Sequence, residues 1–279
     1  MRSFAFDGWD GGRLTVNCDF APLLTRHGLT TFDAIANFTG GQVAKNVLRE
    51  RTTTRLDLAD ARGATCTLFL KRHQRPRVTE LVKPLFRLTR PIVGARNEWE
   101  AILRFHEIGI ATMVPVALGE SAGRSFLVTE GIAGCQKLTA WMDANKHSLH
   151  NGQLKALRQI AAGVADAART MHAAGLHHQD FYLTHLMVAE NLAAKNGAAI
   201  SVHMLDLGRA RFRPLLARRW IVKDLGQLNY SAAGVPASER LRFLTRYLGR
   251  KPTRGDRALI GRILRKSQSI ARHSQKNGL

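Results

Sequence analysis

Only three cysteines, Cys18, Cys66 and Cys135, occur in 279 residues, and none sits in a CxxC or Cys/His zinc spacing. That argues against a disulfide framework and against a zinc site. Acidic residues are scarce as well: Asp plus Glu number 21 against 42 for Lys plus Arg, a formal net charge of +21. A chain so short of carboxylate favours polyanions: nucleic acid, anionic lipid head groups, nucleotides or phosphorylated sugars. Charge alone does not choose among them. No uncharged apolar run approaches the roughly 20 residues that span a bilayer. The opening MRSFAFDGWDGG lacks the apolar core of a signal peptide. Internal repeats, low-complexity linkers and a GxGxxG loop are also missing. The expectation is a cytoplasmic protein, with an anionic membrane surface as a contact and no specific nucleic acid partner.

What is present starts with a core. Hydrophobic residues make up 45% of the chain and charged residues 23%, enough for one large domain or two lobes. The most informative stretch is GLHHQDFYLTHLMV, residues 175–188. Asp180 stands there between apolar segments, and His185 follows five residues on. A carboxylate on a tight loop can orient the proton of an attacking hydroxyl, and a second ligand beyond it can hold a phosphate-bridging metal. Further on, VHMLDLGRARFR sets Asp206 at the end of an apolar strand, before Leu207 and Gly208. That is a standard magnesium position; the plainer alternative is an aspartate capping or pairing with Arg209 and Arg211. A hairpin through Asn196-Gly197 would bring Asp180, His185 and Asp206 together.

The segments before this loop read as strands and one helix. Residues 42–73 are rich in Val, Thr and Leu and punctuated by glycine, as antiparallel strands are. Gly40-Gly41 reads as a hairpin turn in preference to a nucleotide-covering one. Lys71 ends TLFLK and either snorkels to solvent or meets phosphate oxygens in a cleft. RNEWEAILRFHEIGI has helical periodicity. Glu98 shares a face with Ala101, Ile102 and Phe105, so it points inward and needs a cation, for which Lys71 is the candidate. Glu100 points outward and can pair with Arg104. SFLVTEGI runs out at Thr129, Glu130 and Gly131, where a kinase backbone would meet the adenine. Arg72, Arg75, Arg77, Lys83, Arg87, Arg90 and Arg96 form a basic stretch, read equally as a solvated loop or as a cradle for an anion.

After these come an amphipathic helix on Leu154, Leu157, Ile160, Ala161, Val164, Ala168 and Met171, ended by Gly175, and a buried helix around RRWIVKDLGQLNYSAAG. Lys223 and Asp224 read there as a cap or ion pair, and His178 as a buried scaffold residue. The tail beyond Ser238 is helical and strongly basic, either a solvated face or a membrane contact, and its last residues are expected to fray. Residues 1–30 are set apart as an amino-terminal extension, holding at most a short hairpin.

Together RTTTRLDL, FLKRH, RPIVGARNEWEAI, SFLVTE, HHQDFYLTH, LDLGRARFR and RRWIVKDLGQLNYSA resemble the lipopolysaccharide core heptose kinases of the WaaP type, relatives of the Kdo kinases and of the protein-kinase fold. The likeness runs from about Gly41 to Gly249. It implies an α+β, two-lobed protein-kinase-like fold: a small antiparallel-sheet lobe with one helix over 31–130, and a larger, mainly helical lobe over 131–279. It also implies roles. Lys71 is similar to the nucleotide lysine and Glu98 to its helix partner. Thr129, Glu130 and Gly131 correspond to the adenine contact, and Asp180 to the catalytic base. His185 stands where most protein kinases carry a metal-binding Asn, and Asp206 matches the magnesium aspartate.

The implied cofactors are ATP and Mg2+. The implied acceptor is an anionic sugar of the lipopolysaccharide core, the O4 hydroxyl of its first heptose, at the cytoplasmic face of the inner membrane. The pattern departs from the family of protein kinases in three places: Gln179 replaces the Arg of an HRD loop, LDLG replaces DFG, and the glycine-rich loop is vestigial. Two other readings share the residues: a kinase for a different small molecule or for protein, and a basic, non-catalytic pseudokinase scaffold. Retention of Lys71, Glu98, Asp180 and Asp206 argues against the scaffold.

Overall fold

The computed structural model describes residues 3–48, 51–74, 94–145, 152–192, 200–215 and 217–276. The chain divides into two units, Met1–Glu107 with Met113–Ile132, and Ile108–Thr112 with Ala133–Leu279. The Asn196-Gly197 turn and the basic residues from Arg75 to Arg90 lie outside the described residues.

Among the described residues the first unit holds an antiparallel sheet of seven strands, in the order β1-β2-β6-β7-β5-β4-β3. These are β1 (Phe6–Trp9), β2 (Leu14–Asn17), β3 (Gln42–Leu48), β4 (Arg51–Ala59), β5 (Thr65–His73), β6 (Pro115–Ser121) and β7 (Arg124–Glu130). Side chains alternate along each strand, so every second residue reaches one face. Val16, Leu56, Leu68, Leu70, Phe126 and Val128 gather on one face, under Leu24 of α1 (Ala21–Arg26) and Phe32 and Ile35 of α2 (Phe32–Ala36). Against β6 and β7 also lies α3 (Arg96–Glu107), which buries Trp99, Ile102 and Phe105. Each such side chain contributes roughly 1.5–3 kcal/mol by leaving water.

The amino-terminal stretch is part of this sheet. β1 and β2 form a hairpin, and β2 pairs with β6 through Leu14↔Gly119 and Val16↔Ala117. Buried Asn17 donates its Nδ2–H to the Pro115 carbonyl at 2.8 Å. Gly40-Gly41 is not a hairpin turn, because α2 precedes it; it is the bend that leads into β3. A Cβ on Gly41 would meet the Arg55 carbonyl oxygen at 2.5 Å, so glycine lets the chain enter hard against β4. The turn joining β6 to β7 has two left-handed residues, Ala122 at φ 46° and Gly123 at φ 78°, the pattern that matches the twist of a two-residue hairpin.

The second unit is mainly helical: α4 (Leu138–Asn145), α5 (Gly152–Ala173), α6 (Ala217–Ser231), α7 (Ala237–Leu248) and α8 (Arg257–Lys276). Its short strands are β8 (Cys135–Lys137), β9 (Leu176–His177), β10 (Leu186–Ala189), β11 (Val202–Met204) and β12 (Arg211–Phe212). β10 lies between β11 and β8, and β9 pairs with β12. The α5 stripe Leu157, Ile160, Val164, Ala168 and Met171 is buried. Arg158 bonds Glu239 at 2.8 Å and Arg246 bonds Asp166 at 2.7 Å, tying α5 to α7. The chain end, expected to fray from Ala271, instead stays helical to Lys276, because the basic α8 packs along α6. The sheet unit carries α1 and α2 as well as the one expected helix, α3, and with the mainly helical second unit this makes a protein-kinase-like architecture.

Gly163 shows how α5 admits its neighbour. An added Cβ there would lie 2.3 Å from the Ile200 carbonyl oxygen, a backbone atom that cannot swing aside. Ala normally gains up to ~1 kcal/mol over Gly in a helix. Gly163→Ala is nevertheless expected to lower stability by about 1–3 kcal/mol through overpacking. Urea denaturation reads this directly, and a stabilised variant would refute the close approach.

Candidate active site

The sequence-predicted residues fall into two groups, one in each unit. In the first unit, Leu68 and Leu70 turn toward the core, which sends Lys71 to the other face of β5. There Lys71 Nζ donates to Glu98 Oε2 at 2.7 Å. Glu98 is 3% exposed while Glu100 is exposed, as the helical period requires. A carboxylate so buried needs its cation, so the pair holds the lysine in one place. At the end of β7 Thr129 is buried. The Glu130 amide donates to the Val114 carbonyl at 2.9 Å and the Gly131 amide to the Thr67 carbonyl at 2.8 Å. Those two amides are therefore engaged within the unit and are not offered to a nucleotide base.

In the second unit the chain leaves α5 at Gly175, left-handed at φ 71°, where a Cβ would strike the Phe212 ring at 2.9 Å. β9 then leads into the loop that bears Asp180. The path out along β10 and back along β11 is antiparallel, with Leu186↔Met204 in register. It returns Leu205 beside His185, whose carbonyl accepts the Leu205 amide at 2.8 Å. Asp206 comes next, at φ 55°. Asp180, His185 and Asp206 consequently offer ligand atoms that all lie within 4.8 Å of one another. His185 Nδ1 donates to the Asp180 carbonyl at 2.8 Å. That bond sets the tautomer and turns the Nε2 lone pair outward, 3.7 Å from Asp206 Oδ2. Arg209 Nη1 stands 3.6 Å from Asp180 Oδ1.

The loop's backbone has a support that the sequence reading passed over as a cap or ion pair. Asp224, fully buried on α6, accepts the His178 amide at 2.9 Å and the Gln179 amide at 2.8 Å. Gln227 accepts the Phe181 amide at 3.1 Å and donates to the Gln179 carbonyl at 3.2 Å. Ser231 Oγ accepts the Leu183 amide at 3.0 Å. One helix face at i, i+3 and i+7 thus satisfies a loop segment that has no ladder of its own. The support also holds strain in place, since Gln179 is left-handed at φ 63°. A carboxylate on the apolar face of Trp220, Leu225 and Leu228 was the available signal.

Behind Asp224 the Tyr247 hydroxyl donates to His172 Nδ1 at 2.9 Å, and His172 Nε2 donates to Asp224 at 3.3 Å. Burial pushes the Tyr247 hydroxyl pKa up. His178 is buried too, donating from Nε2 to the Leu205 carbonyl at 3.0 Å, and burial lowers its pKa.

Residues 41–247 match the model of the lipopolysaccharide kinase (Kdo/WaaP) family. The chain belongs to that family. It is 32% identical over 264 residues to the lipopolysaccharide core heptose(I) kinase WaaP of Pseudomonas aeruginosa, covering 90% of this chain and 94% of that one. The heptose(I) kinase WaaP of Escherichia coli is 29% identical over 242 residues, 83% of this chain and 88% of that one. A solved structure of WaaP in complex with acyl carrier protein superposes with a TM-score of 0.67 at 30% identity, over 92% of this chain and 99% of that chain. This Kdo/WaaP-family protein is a kinase, and its fold is kinase-like.

Two outcomes follow for this Kdo/WaaP-family kinase. Asp224→Ala leaves two buried amides without an acceptor, and is expected to cost roughly 2–4 kcal/mol in urea unfolding. Asp224→Asn keeps an acceptor and should cost less. His177, fully buried, has its pKa lowered to about 4, mainly by burial and then by His172. The unfolded chain takes up that proton near pH 6.5, so stability falls as pH drops from about 6.5 toward 4. The loss should reach ~3 kcal/mol, and His177→Leu should flatten that part of the profile.

Proposed function

We propose that this kinase transfers the γ-phosphate of ATP to a hydroxyl of the first heptose of the lipopolysaccharide inner core. The carrying observation is the Asp180, His185 and Asp206 cluster, in a chain whose relatives of nearly the same extent are heptose(I) kinases. Lys71, held by Glu98, meets the phosphates of the nucleotide. The strand end at Thr129, Glu130 and Gly131 flanks the adenine, with the contacts made by groups other than the two engaged amides.

Asp180 accepts or orients the proton of the sugar hydroxyl as it attacks in line, while Arg209 beside it steadies the carboxylate. The donor set fits a divalent cation: two carboxylates, and an imidazole whose remaining nitrogen is turned toward one of them. Asp206 and His185 would hold Mg2+, which when bound offsets charge on the phosphates. Lys71 and the basic surface offset more of it, so catalysis is mostly positioning and charge neutralisation. The low acid content suits an acceptor that already carries anionic groups.

No helix among the described residues is long and apolar enough to cross a membrane. A peripheral position at the inner face of the inner membrane is the reading that fits a lipid-linked acceptor.

Acyl carrier protein is a second candidate partner. The solved relative is a complex with it. The second unit here contains a cavity of about 290 Å³ walled by Leu157, Ile160, Val164, Leu228, Phe243 and Ile263, among others. An apolar space of this kind suits an acyl chain. Titration calorimetry with acylated and unacylated carrier tests it, and equal affinities would place the contact away from the cavity.

For the kinase reading, Asp180→Asn should lower transfer by about 10²–10⁴-fold. Its unfolding midpoint should stay near that of the wild type. Mass spectrometry of core lipid from cells carrying the variant should show one phosphate missing. Unchanged core lipid, with the variant folded and expressed, would sink the reading.

A further inference from the structure

The packing of α6 on α8 builds a surface that the catalytic residues do not use. Ser267 Oγ donates to the Gly226 carbonyl at 2.8 Å and accepts Asn229 Nδ2–H at 2.8 Å. A Cβ on Gly226 would lie 2.6 Å from Lys266 Cγ. The two helices therefore run close together, and helical spacing lays two rows of side chains along one open groove. Arg218, Arg219 and Val222 come from α6, and Arg262, Arg265 and Lys266 from α8.

No carboxylate lines this groove. From residue 237 to 276 the acids are Glu239 and Asp256, and they are already paired with Arg158 and Arg250. Among the described residues the five groove cations make no salt bridge. Arg218 and Arg219 also stand in the first turn of α6, which has no acid. A helix N-terminus disfavours cations, so they do not serve the helix there.

Exposed apolar side chains precede Arg218 in the chain. Leu215 is 83% exposed three residues before Arg218, and Phe212 is 52% exposed. Cations without a carboxylate partner, preceded in the chain by an exposed apolar residue, match the headgroup layer of an anionic bilayer. Its phosphates meet the cations and its acyl boundary receives the apolar residue. A nucleic acid would use the cations but not Leu215.

We propose that the α6–α8 groove, with Leu215 on the chain just before α6, docks this kinase on an anionic phospholipid bilayer. The inference rests on the membrane-linked acceptor argued above and gives that acceptor's enzyme a seat. Flotation of the full chain with vesicles of phosphatidylcholine alone, or carrying phosphatidylglycerol, tests it at near-physiological salt. Binding is expected only with phosphatidylglycerol.

Arg262→Glu with Arg265→Glu should weaken partitioning at least about tenfold, and Leu215→Ser should weaken it several-fold with the charge unchanged. Circular dichroism melting checks the fold. If the reversal variant melts early, Arg262→Gln with Arg265→Gln replaces it, with about threefold weakening expected. Wild-type-like binding by a folded charge variant or by Leu215→Ser would overturn the proposal. So would equal binding to phosphatidylcholine, or displacement from the vesicles by a short DNA duplex at matched charge. The assay contains neither ATP nor acceptor, so failure of the heptose reading leaves its result intact.

Discussion

The buried Asp224 carboxylate is the constraint on which the second unit's site depends. Two amides of the Asp180 loop point at it, and a third contact comes from His172. A loop with a left-handed glutamine and no strand ladder would otherwise sample many conformations. Charge-assisted bonds to backbone amides are stronger than neutral ones, and in a water-free interior their loss leaves the donors unsatisfied. α6 thereby lends its order to the loop that bears Asp180. The β10–β11 return then sets His185 and Asp206 against that same loop.

The shortage of acids takes on a structural meaning once the pairs are known. Several carboxylates are committed to joining elements: Glu98 to Lys71, Glu239 to Arg158, Asp166 to Arg246, Asp256 to Arg250. The exposed pairs contribute little stability, typically 0–1 kcal/mol each. Each pair takes up one cation with its carboxylate, so the formal excess of +21 is unchanged and resides in the basic residues beyond these pairs.

The parts of the fold that were legible in the sequence were those with a short-range signal. Val, Thr and Leu content punctuated by glycine marked β5, and a 3.6-residue period separated buried Glu98 from exposed Glu100. The loop of Asp180 and the strand end of Asp206 were visible from residue type beside apolar runs. Asp224 was not, because a lysine–aspartate step on a helix looks the same whether the helix faces water or a loop. Gly40-Gly41 forms a bend where a hairpin turn is expected, since glycine pairs signal a turn without saying which elements it joins. The place of the amino-terminal hairpin in the sheet has no local signal, because its partner, β6, lies about a hundred residues away.

By itself the sequence determined the charge balance, the strand and helix periods, and the chemical identity of each ligand, since all of these are properties of residues and their near neighbours. Only the tertiary structure decided that Glu98 is the partner of Lys71 and that α6 supports the Asp180 loop. The same holds for the two rows of arginine and lysine sharing one groove. Those are contacts between positions far apart in the chain, and they exist only where packing brings the backbones together.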